Sequence, residues 1–134
     1  MAARTIVLDS WVMMAFFEDQ PSAEAVADII IGAHKSNAAL LMCAVNAGEL
    51  WYSTARGHSR GDADRVIEEL QNLQVELVPA DWTLARKAAE YKARGGIAYA
   101  DCFVAALAKL HHAELVTGDR EFKILEKEVR IRWV

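Results

Sequence analysis

This sequence has almost no proline. Its 2 prolines in 134 residues leave little material for an interdomain hinge, and no repeats or low-complexity tracts interrupt the chain. Cysteine is equally scarce. The 2 present, Cys43 and Cys102, sit in apolar runs and read as buried free thiols of a reducing compartment, not as a disulfide framework or a cysteine metal motif. No stretch approaches the roughly 20 apolar residues that a membrane span requires. The opening Met1-Ala2-Ala3-Arg4-Thr5 has no signal-peptide layout, because an aspartate arrives at position 9. A basic excess is also missing: 15 Lys and Arg stand against 19 Asp and Glu, for a net charge of −4. That balance argues against passive nucleic-acid binding, though not against an acidic catalytic site flanked by local basic patches. The expectation is a single cytoplasmic domain over residues 1–134.

What the chain does have is apolar material, 54% of it, enough for a proper core at this length. Short β-type runs alternate with helical periodicities. Thr5-Ile6-Val7-Leu8 predicts a buried strand, then Asp9-Ser10 turns into a helix holding Val12, Met13, Phe16 and Phe17. Ser22 is an N-cap candidate for a helix with Ala23, Val26, Ala27, Ile30 and Ile31 on one face, closed by Ser36-Asn37. Ala39 to Cys43 predicts a second strand, and Asn46-Ala47-Gly48-Glu49 opens a helix that ends near Gly57. Ser59 to Asp62 reads as a turn before a helix with Val66, Ile67, Leu70 and Leu73 inward. Gln74 to Val78 predicts a third strand, and Asp81 caps a helix carrying Leu84, Ala85, Ala88 and Tyr91 that Gly95-Gly96 ends. A fourth strand is expected over Ala113 to Thr117, a short helix after Gly118-Asp119 with Phe122 and Leu125, and a closing strand over Val129 to Trp133. This alternation predicts an α/β fold, with a mostly parallel sheet of about four to five strands covered by helices on both faces.

The stretch from Ile97 to Ala108 stands apart. Phe103, Ala106, Leu107 and Leu110 recur at helical spacing, and Cys102, Ala105 and Ala108 make the other side nearly as apolar. Such a helix is usually buried. Its first turn nevertheless carries Asp101, and a buried charge is costly unless paired, bonded or ligating. Three further acids follow strands: Asp9 the first, Glu49 the second and Asp119 the fourth. In open parallel sheets ligands bind beyond the carboxyl ends of the strands, and the Asp101 helix, running antiparallel to the strands, starts at that edge. The topology thus gathers Asp9, Glu49, Asp101 and Asp119. Converging carboxylates raise one another's pKa values, and a hard divalent cation such as Mg²⁺ removes the repulsion. A site of this kind suits phosphodiester hydrolysis. Each acid taken alone also has a local reading: Asp9 as a helix cap, Glu49 in a capping box with Asn46, Asp101 as a first-turn acid, Asp119 as a turn residue.

The stretches Val7-Leu8-Asp9-Ser10, Ala47-Gly48-Glu49-Leu50, Ala100-Asp101-Cys102-Phe103-Val104-Ala105-Ala106 and Leu115-Val116-Thr117-Gly118-Asp119-Arg120-Glu121-Phe122 resemble the PIN-domain nucleases, most closely the VapC-type toxins of bacterial toxin–antitoxin pairs. Each motif is weak alone; the ordered set, spanning nearly the whole chain, is fairly specific. The resemblance implies a three-layer PIN-like fold and a metal-dependent endoribonuclease. By it, Asp9, Glu49, Asp101 and Asp119 hold Mg²⁺ or Mn²⁺, and Ser10 or Thr117 orients a ligand or water. It also implies an RNA substrate, a homodimer and a cognate VapB-like antitoxin laid across the site. Trp11 departs from the pattern, since the family often has a small polar residue there.

Other residues carry weaker expectations. Arg56, Arg60, Arg65, Lys92 and Arg94 are candidates to guide RNA phosphates, against a plain reading as solvated faces. His111-His112 reads as a helix end, because adjacent helical residues do not face one another, and His34 and His58 as solvated helix-end residues. Trp11, Met13, Met14, Phe16 and Phe17, with Trp51 and Tyr52, exceed one buried face and suggest an exposed apolar patch. Two other functions share the fold class: a non-catalytic or regulatory PIN-fold binding module, and a phosphoacceptor signalling domain. The second expects an acidic pair after the first strand and a lysine after the last-but-one strand. Asp9-Ser10 and Thr117-Gly118-Asp119 supply neither.

Overall fold

In the computed structural model, which describes residues 4–134, five strands form one sheet in the order β3-β2-β1-β4-β5. They are β1 (Thr5–Leu8), β2 (Ala39–Cys43), β3 (Val75–Val78), β4 (Glu114–Thr117) and β5 (Ile131–Trp133), and every pairing is parallel. Parallel strands need long crossovers, here supplied by α1 (Ser10–Phe17), α2 (Ala23–Ser36), α3 (Ala44–Gly57), α4 (Arg60–Asn72), α5 (Trp82–Arg94) and α6 (Tyr99–Leu110). A 3₁₀ helix, Arg120–Leu125, connects β4 to β5. Met1, Ala2 and Ala3, part of the stretch read for a leader, lie outside the described residues.

Strand alternation splits the core in two. Val7, Leu41, Cys43 and Leu115 point to one face and pack with α5 and α6. Ile6, Leu8, Leu40, Met42 and Val116 point to the other and meet residues of α1, α2, α3 and α4. This is the period of two expected of a sheet buried on both sides. The helix α6 is the most deeply set: from Cys102 to Ala108 no residue is more than 6% exposed. Its small residues let it lie against both the sheet and α5, and both cysteines are free and buried.

Several local expectations hold and several change. Asp81 caps α5, its Oδ1 accepting from the Leu84 amide at 2.9 Å, and Asn37 closes α2 in the left-handed region at φ 60°. Ser22 stands at the N-cap of α2, but its backbone is helical and its hydroxyl makes no cap bond. Ser59 to Asp62 is not a free turn. Ser59 is the N-cap of α4 and accepts from the Asp62 amide at 3.0 Å. Ile31 and Leu110, placed inward by periodicity, are 50% and 42% exposed, because the helices that carry them turn only part of their apolar arc to the sheet. His34 is exposed yet bonded, its Nε2 lying 2.8 Å from the Leu73 carbonyl. His111 and His112 do end α6, both exposed. Among the described residues no helix is long and apolar enough to cross a membrane.

Candidate metal centre

The parallel register decides where the acids go. Leu8 pairs with Val116, so the next residues, Asp9 just past β1 and Thr117 at the end of β4, emerge side by side. The Thr117 hydroxyl donates to Asp9 Oδ2 at 2.6 Å and accepts from the Asp119 amide at 3.0 Å. One side chain therefore links two of the acids. The other oxygen of Asp9 accepts from the Val12 amide at 3.0 Å and caps α1. The cap reading and the site reading of Asp9 are both true, one for each oxygen.

Glu49 is held differently. The helix α3 begins at Ala44, two residues before the Asn46 start expected from sequence, and this leaves Asn46 buried inside the first turn. No capping box forms. The Asn46 amide instead donates to Glu49 Oε1 at 3.0 Å and to the Ala100 carbonyl at 3.1 Å, tying α3 to the start of α6. The Ser10 hydroxyl donates to the same Glu49 oxygen at 3.1 Å. Ser10 thus orients the Glu49 carboxylate, and Thr117 joins the Asp9 carboxylate to the backbone of Asp119.

Asp101 is the third residue of α6 and half-buried. The N-cap of that helix is Ala98, with no side-chain cap bond, so Asp101 is not a cap. An oxygen of Asp101, one of Asp119 and one of Glu121 all lie within 4.8 Å of one another. Glu121 had no role in the sequence reading. Only the 3₁₀ geometry after Asp119, whose Oδ1 accepts from the Glu121 amide at 3.0 Å, swings it toward Asp101.

The electrostatics agree with the geometry. Burial pushes the Asp9 carboxyl up to about 7, against the bonds from Thr117 and Val12 and with help from Asp119 and Glu49. Burial likewise raises Asp101 to about 7, followed by repulsion from Asp119, a hydrogen bond with Glu121 and the charges of Glu49 and Asp9. The charged groups that shift these two carboxyls are Asp119 and Glu49 for both, with Asp9 and Glu121 acting on Asp101, and all of them are acids. Acids this close, without a protein cation, form a donor set of oxygens only, which fits a hard divalent ion. Cys43 and Cys102 take no part; burial pushes both thiols up, away from reactivity.

A family model for the PIN domain matches residues 6–128. The chain belongs to the PIN-domain family. Solved structures agree in fold. VapBC2 from Rickettsia felis, bound to a DNA fragment from its promoter, superposes with a TM-score of 0.75 at 14% identity, covering 97% of this chain and 98% of that one. VapBC-1 from nontypeable Haemophilus influenzae gives 0.72 at 18%, over 96% and 97%. VapC20 from Mycobacterium tuberculosis, described as a sarcin–ricin loop cleaving toxin, gives 0.70 at 14%, over 89% and 93%. None of the curated proteins compared matches the chain.

The basic candidates of this PIN domain are all engaged by the protein itself. The Arg56 and Arg60 guanidinium groups lie over the rings of Tyr52 and Trp51, at 5.2 and 5.6 Å. Arg65 pairs with Asp62 at 3.7 Å. Lys92 donates to the Ile97 carbonyl at 2.9 Å, and Arg94 pairs with Glu128. The expected apolar patch is smaller than its sequence. Met13 is in the core, Met14, Phe16 and Phe17 pack partly against it, and Trp51 is half-buried with its indole N–H on Asp64 at 2.9 Å. Trp11 and Tyr52 remain exposed, at 38% and 47%.

Trp11 also explains Gly118. A Cβ at Gly118 would lie 2.3 Å from the nearest ring carbon of Trp11, so the indole sits on the bare backbone between Thr117 and Asp119. The demand at Gly118 is for space, since its φ is not in the left-handed region. We expect Gly118→Ala to cost about 1–3 kcal/mol in denaturant unfolding by overpacking against the ring. In a Trp11→Ala background the same change should be nearly silent. Equal cost in both backgrounds would show that the ring is not what Gly118 accommodates.

Proposed function

We propose that this PIN domain is a metal-dependent endoribonuclease, the toxin of a VapBC-type toxin–antitoxin pair. The observation that carries the reading is the convergence of Asp9, Glu49, Asp101 and Asp119 at one sheet edge, with oxygens of Asp101, Asp119 and Glu121 within 4.8 Å. The similar folds described as VapBC, and as a sarcin–ricin loop cleaving toxin, support it.

Asp101 and Asp119, with Glu121 beside them, would hold Mg²⁺ or Mn²⁺, and Asp9 and Glu49 complete the acidic wall. When bound, the ion supplies an activated water and charge stabilisation for the leaving oxygen. The protein's own part is positional. Thr117 ties the Asp9 carboxylate to the backbone of Asp119, and Ser10 and Asn46 aim Glu49. Rigid placement of this kind is what converts a weak hydrolysis into an oriented one. Lys92 and Arg94, on the last turn of α5 just before the loop feeding α6, would meet the phosphates of an approaching strand by giving up the Ile97 carbonyl and Glu128. The same reading carries an antitoxin that covers the site and a homodimer.

Incubation of partner-free protein with RNA and Mn²⁺ tests this directly. Cleavage that stops with a chelator and returns with Mn²⁺ is expected. Intact RNA of every kind tried, together with no Mn²⁺ binding by calorimetry, would end the nuclease reading.

A further inference from the structure

The acidic centre has an aromatic neighbour that the function above does not use. Trp11 follows Asp9 by two residues, and its indole is seated on Gly118, the residue between Thr117 and Asp119. The seat keeps the ring beside the acids while 38% of the residue stays exposed. Beside it opens a cleft of about 480 Å³, lined by Trp11, Met14, Ala15, Pro21 and the polar groups of Glu18, Gln20 and Ser22. An aromatic ring, apolar walls and a few hydrogen-bonding side chains are what an unstacked nucleobase requires.

We infer that Trp11 is a stacking platform for one base of the RNA next to the scissile phosphate, with Glu18, Gln20 and Ser22 placed to meet the edge of that base. The inference rests on the ribonuclease reading above. Continuity selects a base over a side chain of a protein partner. A strand whose phosphate lies at Asp101 and Asp119 passes its neighbouring nucleotide across Gly118, and the indole is the surface found there. A domain with net charge −4 also gains little from general phosphate attraction, so stacking has more of the affinity to supply.

The test uses short single-stranded RNA of mixed sequence, with Ca²⁺ in place of Mn²⁺, and reads binding by fluorescence anisotropy. Trp11→Ala should weaken binding by about 5- to 150-fold, the loss of one base–aromatic stack. Trp11→Phe should restore most of it. In the wild type, an abasic sugar at one position of the RNA should cost the same factor, and in Trp11→Ala that position should cost nothing. Mn²⁺ affinity without RNA should be equal in all three proteins. Unchanged RNA affinity in Trp11→Ala, with a wild type that binds and cuts RNA, overturns the stack alone. So does an abasic penalty that persists in Trp11→Ala, or a variant that loses only a protein partner and gives the surface to a polypeptide. A wild type with no affinity for RNA overturns the ribonuclease reading and the stack with it.

Discussion

Asp101→Asn should lose Mn²⁺ affinity by about 100-fold or more, and RNA cleavage with it, while its thermal stability without metal stays level or rises. The argument is one of sign. Asp101 lies near Asp119, Glu49 and Asp9 and shares a hydrogen bond with Glu121 that favours its protonated form. Asparagine keeps the shape, donates to Glu121 and removes one of the repelling charges. A first-turn acid that merely complemented the helix dipole would behave in the opposite way. Its loss would cost about 0.3–1 kcal/mol and leave metal binding untouched. Calorimetric titration beside a melting curve separates the two outcomes, and a destabilised variant with full Mn²⁺ affinity would remove Asp101 from the site.

The second large effect is on pH. Asp9 is buried and its carboxyl is raised to about 7 in the folded protein, against an ordinary value of 3.8. A raised carboxyl means that the folded state holds its proton while the unfolded state has already released it. The stability this contributes is complete below the unfolded value and is lost as pH climbs through the folded one. Metal-free protein should therefore weaken from about pH 4 to pH 7, by on the order of 4 kcal/mol from Asp9. Mn²⁺ should reverse the trend. Below about pH 7 the ion competes with protons on Asp9 and Asp101, so its affinity should fall by up to about 100-fold per pH unit on acidification. Above that range affinity should level off. Melting temperatures measured across this window with and without Mn²⁺ check both halves. A metal-free curve that is flat from pH 4 to 7 would mean that Asp9 is not held protonated by its surroundings.

Much of the candidate site's layout was legible from the chain. Asp9, Glu49 and Asp119 follow strands, and Asp101 opens a helix that returns along the sheet. A parallel sheet with helical crossovers then leaves one edge at which they can meet. Asp81 and Asn37 behaved as their residue types predict, because a cap is settled by a few neighbouring backbone groups. The misreadings also had local origins. A two-residue error at the start of α3 turned Asn46 from a strut between helices into half of a capping box. Periodicity placed Ile31 and Leu110 on an inward face without knowing how wide a face the sheet would cover.

The sequence by itself determined the strand and helix alternation, the order of the four acids and the identity of the buried helix α6, all of which depend on patterns a few residues long. Only the tertiary structure decided how the acids are held. Thr117 reaches Asp9 across 108 positions of sequence because β1 and β4 are neighbours in a fixed register. Glu121 joins Asp101 and Asp119 through the turn of a 3₁₀ helix against the start of α6, and Trp11 finds its seat because Gly118 carries no side chain. Carboxylate spacings, and the pKa shifts that follow from them, are set by sheet order, register and packing. Residue type and periodicity say nothing about those distances, because the interactions that fix them join parts of the chain far apart in sequence.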